Sequence, residues 1–333
     1  MEKSAVSLIT GDGIGPEISR ATREIIDSSS AKIDWEIVET NPGKEDGKAI
    51  ISRMVSSVEK TGVGIKGPIT TPIGSGYSSL TVATRKKLNL YANVRPVQRL
   101  PGLGPDLGRH VDMVTVRENT EGLYSGIEHE VEDEYAESIK LISRKGSERV
   151  ARFAFEYAVR ENREKVTAIH KANILKKSDG LFLDVAEETS KDYPEIDFEE
   201  KIVDNMAMQL ILRPEDFDVL LAPNLYGDIL SDLTAGLIGG LGVAPGGNFG
   251  DELVVFEAVH GSAPDIAGQN IANPLGLLRS TIMLLDHINQ TRSAAQIQTA
   301  IESVLTKGEV LTPDLGGNST TTEFTEEIIE HLQ

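Results

Sequence analysis

The stretch Asn224-Leu225-Tyr226-Gly227-Asp228-Ile229-Leu230-Ser231-Asp232 carries the clearest chemistry in the chain. Asp228 and Asp232 are four residues apart in a helical pattern, so both face one way with Cβ atoms roughly 5–6 Å apart. Apolar runs flank them, Val219-Leu220-Leu221-Ala222 before and Leu233-Thr234-Ala235-Gly236-Leu237-Ile238 after. Two carboxylates in such surroundings repel each other and lose hydration, and a hard divalent cation with oxygen ligands offsets both. A solvated acidic face is the ordinary alternative; the apolar flanks favour metal. Asp204, just after another β-like run, is a third acid able to complete the shell.

An acidic protein that binds an anion needs local arginines. The chain has 333 residues, 52 acidic against 33 basic, and a formal net charge of -19. Arg85 lies in a helical pattern, Arg95 in Tyr91-Ala92-Asn93-Val94-Arg95-Pro96, and Arg117 at the end of the β-like run Asp112–Val116. Most surface arginines only solubilise. These three stand at element ends in a strongly acidic chain, and arginine is suited to forked carboxylate recognition. Lys171 follows the apolar run Val166-Thr167-Ala168-Ile169-His170; a lysine there is a surface residue or a buried base of lowered pKa, and the pattern alone favours the surface.

Composition narrows the classes. The acidic balance argues against nucleic-acid and membrane surfaces, which attract basic patches. There is no cysteine, hence no disulfide or thiol chemistry. No apolar run reaches about 20 residues and the start resembles no signal peptide, which sets a cytoplasmic expectation.

The elements that must position these residues alternate in type. Ala5–Thr10 reads as a strand, Gly11-Asp12-Gly13-Ile14-Gly15-Pro16-Glu17 as a glycine turn, and Ile18 onward as a helix. The turn is G-x-G-x-G rather than G-x-G-x-x-G, and no acid follows on a second strand, so it is no Rossmann fingerprint. Strand-like runs at Ile33–Val38, Gly62–Ile65 and Val254–Val259, with helices near Ala49–Glu59, Ser147–Asn162, Leu275–Ile288, Ala294–Leu305 and Thr322–Leu332, predict an α/β fold with a mostly parallel sheet. Ser78 or Ser79 would cap the helix that carries Arg85. Glu128–Glu134 is an acidic loop or arm, and Gly239–Gly247 a glycine-rich connection and candidate hinge.

Taken together, Gly11–Glu17, Gly67–Gly74, Tyr91–Pro96, Arg117-Glu118-Asn119-Thr120-Glu121, His170-Lys171-Ala172-Asn173, Asn224–Asp232, His260–Pro264 and Ala272-Asn273-Pro274 resemble the β-decarboxylating dehydrogenases of 3-substituted malates. That family includes isocitrate, homoisocitrate and 3-isopropylmalate dehydrogenases. The likeness spans nearly the whole chain in order. Glu118–His129 and Gly67–Pro72 are closest to the NAD-dependent isocitrate branch.

The resemblance implies a two-domain α/β fold without a standard Rossmann site. Residues 1–96 and 240–333 would form a large domain; residues 97–239 would form a small one with a dimer interface and a clasping arm at about 125–145. It implies a homodimer, or a higher oligomer, whose active sites are shared: Asp228 and Asp232 from one subunit, Lys171 and Asp204 from the other. The metal would be Mg2+ or Mn2+. Lys171 would be the base and Tyr124 the general acid, with Ser79, Thr81, Arg85, Arg95, Arg117 and Asn173 on the substrate. NAD would meet Ile14, Thr70, Thr71, Asn224, His260, Gly261, Ser262, Ala263, Pro264, Asp265, Ile266 and Asn273. Asp265 would accept from the adenosine ribose, where NADP-using relatives often carry Lys and Tyr at the Asp265-Ile266 pair; this points to NAD.

One position departs from the isocitrate pattern: Thr81 stands where relatives carry Asn. That order leaves isocitrate first, then homoisocitrate, then 3-isopropylmalate. A non-catalytic regulatory subunit of a hetero-oligomeric enzyme is the reading from another class. It is disfavoured because Tyr124, Lys171, Asp204, Asp228 and Asp232 are all retained.

Overall fold

A computed structural model describes residues 3–40, 45–70, 79–105 and 108–332. In chain order the elements are β1 (Ser4–Ile9), α1 (Gly15–Ser28), β2 (Ile33–Val38), α2 (Gly47–Thr61), β3 (Val63–Lys66), α3 (Leu80–Lys87), β4 (Ala92–Gln98) and β5 (Asp112–Glu118). Then come β6 (Glu128–Val131), β7 (Tyr135–Ser138), α4 (Arg144–Arg160), β8 (Lys165–His170), α5 (Ser178–Ser190), β9 (Asp197–Ile202) and α6 (Val203–Leu212). The chain closes with β10 (Val219–Ala222), α7 (Asn224–Leu237), β11 (Pro245–Phe249), β12 (Val254–Ala258), α8 (Leu275–His287), α9 (Thr291–Lys307) and α10 (Thr321–Glu330). No helix among the described residues is long and apolar enough to cross a membrane.

The chain divides into two compact units. The first comprises Met1–Leu88, Arg99–Pro105 and Ile238–Gln333; the second comprises Asn89–Gln98 and Asp106–Leu237. Strand β4 therefore groups with the second unit.

In the first unit the strands run β2-β1-β3-β12-β11, parallel except for β11. A parallel sheet covered on both faces selects continuous apolar strands, and Val6 through Ile9 in β1 are all buried. Helix α1 turns Ile18, Ala21, Ile25 and Ile26 inward at helical spacing. Helix α8 packs on β12, β11 and β3, and α10 starts with a capping box between Thr320 and Glu323. The glycine-rich connection expected over Gly239–Gly247 ends earlier than that, because its last three residues are in a strand. Pro245-Gly246-Gly247 opens β11, because a side chain at Gly247 would stand 2.9 Å from the Phe249 ring and 3.0 Å from the Phe256 ring.

In the second unit the order is β4-β5-β10-β8-β9, with β4 antiparallel to β5 and the others parallel. Val219, Leu220, Leu221 and Ala222 of β10 are 0% exposed. The edge strand β9 carries Asp197, Glu199, Glu200 and Lys201, charges that discourage pairing with another chain. A separate hairpin joins β6 and β7, and Glu132 and Asp133 make its turn with φ of 55° and 57°. All eight strand residues of this hairpin are exposed.

Candidate active site

Two neighbouring strands deliver the arginines of the second unit. Asn93 of β4 sits opposite Arg117 of β5, so Arg95, two residues on, shares that face diagonally with Arg117. Arg117 also pairs in register with Ala222, the last residue of β10, after which the chain turns into α7. This brings the first turns of α7 to the guanidiniums. Asn224 Oδ1 accepts from Arg117 Nε at 3.0 Å and from a terminal nitrogen at 2.7 Å, and Arg117 reaches Asp228 with the other. Arg95 donates to Ser231 Oγ at 2.7 Å and Asp232 Oδ1 at 3.0 Å, and lies 3.5 Å from Asp228 Oδ1.

Tyr124 completes the cluster. A short helical turn, Leu123–Ser125, follows Gly122, whose φ is 78°. It points the phenol at Asp228 Oδ2, to which Tyr124 donates a hydrogen bond. The Arg117 guanidinium lies 5.0 Å from the centre of the Tyr124 ring. Burial, and then the hydrogen bond to Asp228, raise the Tyr124 pKa, so the phenol keeps its proton at neutral pH. Burial also raises the Asp232 pKa; Asp228 adds to this and Arg95 and Arg117 oppose it.

The pair is less enclosed than its apolar flanks suggest, because the Asp232 side chain is 51% exposed and that of Asp228 30%. Both guanidiniums are buried beneath them.

Lys171 and Asp204 form a second centre in the same unit. Lys171 follows β8, Asp204 lies in the first turn of α6, and the lysine ammonium donates to the carboxylate. Lys171 lowers the pKa of the exposed Asp204. Among the described residues no three His, Cys, Asp or Glu side chains converge as a metal site. The suggestion that Asp204 completes the shell is thus not met within one chain. Asn173 is exposed on the turn closed by Ile174 N and Leu175 N bonding to Lys171 O at 2.9 and 2.8 Å.

The remaining residues, apart from Asn224, belong to the first unit. Ser79 caps α3, accepting from Val82 N at 3.4 Å, while Thr81 is half-buried one turn from Arg85. Arg85 pairs with Glu257 of β12, which also binds Lys66 at 2.9 Å and Asn248 Nδ2 at 2.9 Å. Burial pushes the Glu257 carboxyl up, but Arg85 and Lys66 outweigh it and hold the group well below the usual range.

Three loops meet at the first glycine turn. Asp12 Oδ1 accepts from Thr70 N at 2.8 Å and Thr70 Oγ1 at 2.9 Å; Thr70 Oγ1 and Ser262 Oγ are 2.7 Å apart; Ile14 N donates to Ser262 O at 2.8 Å. Gly13 is required there: its φ is +58°, and a Cβ would stand 2.0 Å from Ser262 O. Ala263 follows at φ 37°, a left-handed value seldom taken by a residue with a side chain. Gly261, Pro264 and Asp265 are placed in the loop after β12; Gly261 and Asp265 are exposed, Ile266 is half-buried, and Ile266 N bonds Ala263 O at 3.2 Å.

His260 Nδ1 lies 2.9 Å from Gly261 O, so this nitrogen donates, while buried Nε2 has no partner among the described residues. Burial lowers the His260 pKa and keeps the ring neutral near neutral pH. Asn273 donates to Asp314 at 2.9 Å and accepts from Leu275 N at 2.9 Å. Thr71 lies outside the described residues.

Asn224 belongs to the second unit, where its amide is taken by Arg117 on one side and Glu121 O, at 3.0 Å, on the other. Each unit also holds residues beside these groups that sequence reasoning missed. Ser231 had a signal, since it precedes Asp232 and follows Asp228 by three. Asp12 had one in its place between two glycines. Glu257 and Asp314 had none, because their partners are far away in sequence.

A family model for isocitrate/isopropylmalate dehydrogenase matches residues 5–328. The chain belongs to this family. Among similar proteins, isocitrate dehydrogenase [NAD] catalytic subunit 6, mitochondrial, of Arabidopsis thaliana is 50% identical over 329 residues, covering 98% of this chain and 88% of the relative. A mitochondrial NAD isocitrate dehydrogenase regulatory subunit of Dictyostelium discoideum is 50% identical over 330 residues, 98% and 91% of the two chains. The crystal structure of isocitrate dehydrogenase from Methylococcus capsulatus superposes with a TM-score of 0.91 at 45% identity, covering 100% of this chain and 99% of that one.

These relatives fix the α/β dehydrogenase fold and the oxidoreductase class. They overturn the cytoplasmic expectation, since the curated relatives are mitochondrial proteins. The lack of a long apolar run and of a signal-peptide pattern was too weak a basis for assigning a compartment.

Proposed function

We propose that this chain is a catalytic subunit that oxidises and decarboxylates isocitrate to 2-oxoglutarate and CO2 with NAD and Mg2+ or Mn2+. The observation that carries this reading is the hydrogen bond from Tyr124 to Asp228, set between Arg95 and Arg117. A protonated phenol, two guanidiniums and two one-turn-spaced carboxylates are what a β-decarboxylation of a polycarboxylate uses.

The residues fit a divalent ion. Asp228 and Asp232 are hard oxygen donors with accessible surface, one helical turn apart. Asp228 and Asp232 would hold the ion with Asp204 of a second copy; when bound, it supplies Lewis acidity for loss of CO2. The first unit fits the nucleotide, for it offers an acceptor without a donor at His260 Nε2 and an exposed carboxylate at Asp265. NAD supplies the hydride acceptor.

The chain's own groups divide the remaining work. Arg95 and Arg117 bind and orient substrate carboxylates, with Arg85 as a third. Lys171, in its neutral amine form, takes the proton of the substrate hydroxyl. Tyr124 delivers a proton to the carbon that loses CO2, and its raised pKa keeps it the acid form for that step. Lys171 and Asp204 pair with each other and not with Asp228, which supports completion of each site by a second copy.

The exposed hairpin supports the same assembly: Ile127, Val131, Tyr135, Ile139 and Leu141 are 38, 40, 65, 44 and 46% exposed. An isolated two-stranded hairpin is marginal in water and gains from a partner. A regulatory role has one specific support, the similarity to the Dictyostelium regulatory subunit. The test is turnover by the purified chain alone on isocitrate, homoisocitrate and 3-isopropylmalate, with NAD, with and without EDTA. EDTA-sensitive turnover of isocitrate ahead of the other two supports the proposal; no turnover of any of the three overturns it.

A further inference from the structure

Asp179 has no place in the chemistry above, yet its side chain is 0% exposed. It stands in the first turn of α5. One oxygen, Oδ2, accepts from the backbone N–H of Lys171 at 2.8 Å; the other accepts from the ammonium of Lys140. Lys140 leaves β7 just before Leu141, whose bridge to Gly122 closes the root of the hairpin. The same ammonium donates to Tyr226 Oη at 3.2 Å and lies 4.3 Å from the centre of the Tyr226 ring. Tyr226 is in the first turn of α7, two residues before Asp228.

We propose that Asp179 is a positioning residue that, through Lys140, locks the hairpin root to both the Lys171 turn and the start of α7. The inference rests on the roles given above to Lys171 and Asp228. A carboxylate with no exposed surface holds a fixed arrangement, because any departure leaves a buried charge without its partner. The backbone bond fixes the peptide from which the Lys171 side chain springs. The Lys140–Tyr226 contact fixes the turn from which Asp228 and Asp232 project. A shift of the hairpin is thereby transmitted at once to the base and to the metal acids, which stand on separate elements.

A plain structural ion pair would give stability alone, so the test separates stability from geometry. Lys140→Met, Asp179→Asn and the double variant are made in the full chain as it assembles. Backbone deuterium uptake is followed over residues 171–177 and 224–230, with 275–287 as control, beside melting temperature, kcat and KM for isocitrate.

Lys140→Met is expected to raise uptake in both segments and not in the control. In the double variant neither charge is left unpaired, so the melting temperature returns towards the parent. Its kcat stays down, on the order of 100-fold, as for a misplaced catalytic group, with KM changed much less. A double variant with parental stability and parental kcat overturns the proposal. So does a rise in uptake at only one of the two segments for Lys140→Met. A parent chain inactive on isocitrate refutes the functional assignment instead, and the uptake pattern then decides the coupling by itself.

Discussion

Tyr124 donates to one oxygen of Asp228 while Arg117 reaches the other, so the proposed acid is hydrogen-bonded to a proposed metal ligand. Whatever engages Asp228 also sets the direction in which the phenol presents its proton.

Replacing Tyr124 with Phe removes the proton but keeps the ring over Arg117. We expect kcat on isocitrate to fall by about 10²–10⁴-fold, the usual contribution of a general acid, with KM little changed. Steady-state kinetics with NAD saturating checks this. A variant within twofold of the parent removes Tyr124 from the mechanism.

The Asp232 carboxyl is raised above its ordinary value of 3.8 by burial and by Asp228. For a raised acid, the folded state holds the proton more tightly than the unfolded one. That contribution is full below the ordinary value and is lost as pH rises through the folded value. At pH 8 the ionised group therefore strains the metal-free fold, and a divalent ion relieves it. The Mg2+ increment in melting temperature should shrink as pH falls and protons compete for the same oxygens. Asp232→Asn should abolish the Mg2+ increment. An increment that survives in this variant places the ion elsewhere.

Asp265 is exposed in the loop after His260, and the ribose contact expected of it would let it select between dinucleotides. A phosphate about 4 Å from its carboxylate meets repulsion of about 4 kcal/mol per unit charge pair at an effective dielectric of about 20, before screening. The parent should prefer NAD strongly, and Asp265→Lys should lower kcat/KM with NAD and raise it with NADP. Equal efficiencies in the parent contradict this assignment.

His260 is held below its ordinary 6.5, first by burial and then by Lys66, against the pull of the Gly261 carbonyl. The unfolded chain binds the proton more readily, so stability rises with pH up to the ordinary value and falls below it. His260→Gln should flatten the loss of melting temperature between about pH 7 and about pH 5 relative to the parent. An unchanged slope would place the sensitivity in other groups.

The sequence made some of these relations legible and hid others. Asp228, Asp232 and Tyr226 could be ordered on one helix because the 3.6-residue period fixes neighbours. The run Ala5–Thr10 read as a strand, and the apolar run Val219–Ala222, noted only as a flank of the acid pair, is the buried strand β10. Pro245-Gly246-Gly247 was read as part of a connection because glycine hides the aromatic packing around β11. Asn224 was assigned to the cofactor from its motif, and only the register of β5 with β10 puts it against Arg117. The Glu257, Asp314 and Asp179 contacts are tertiary, made between elements whose order along the chain says nothing of their distance.

Gly227 occupies the inner face of α7, where a Cβ would lie 2.7 Å from Arg117 Cβ and Cγ. A glycine inside a helix costs roughly 1 kcal/mol against alanine, so local stability alone would favour drift toward alanine. Any such drift displaces the arginine beneath the acids. The contact falls on the root of the Arg117 side chain rather than its far end, so the strain outweighs the helix preference, and the absent methyl group is what lets strand and helix approach closely enough to seat the guanidinium.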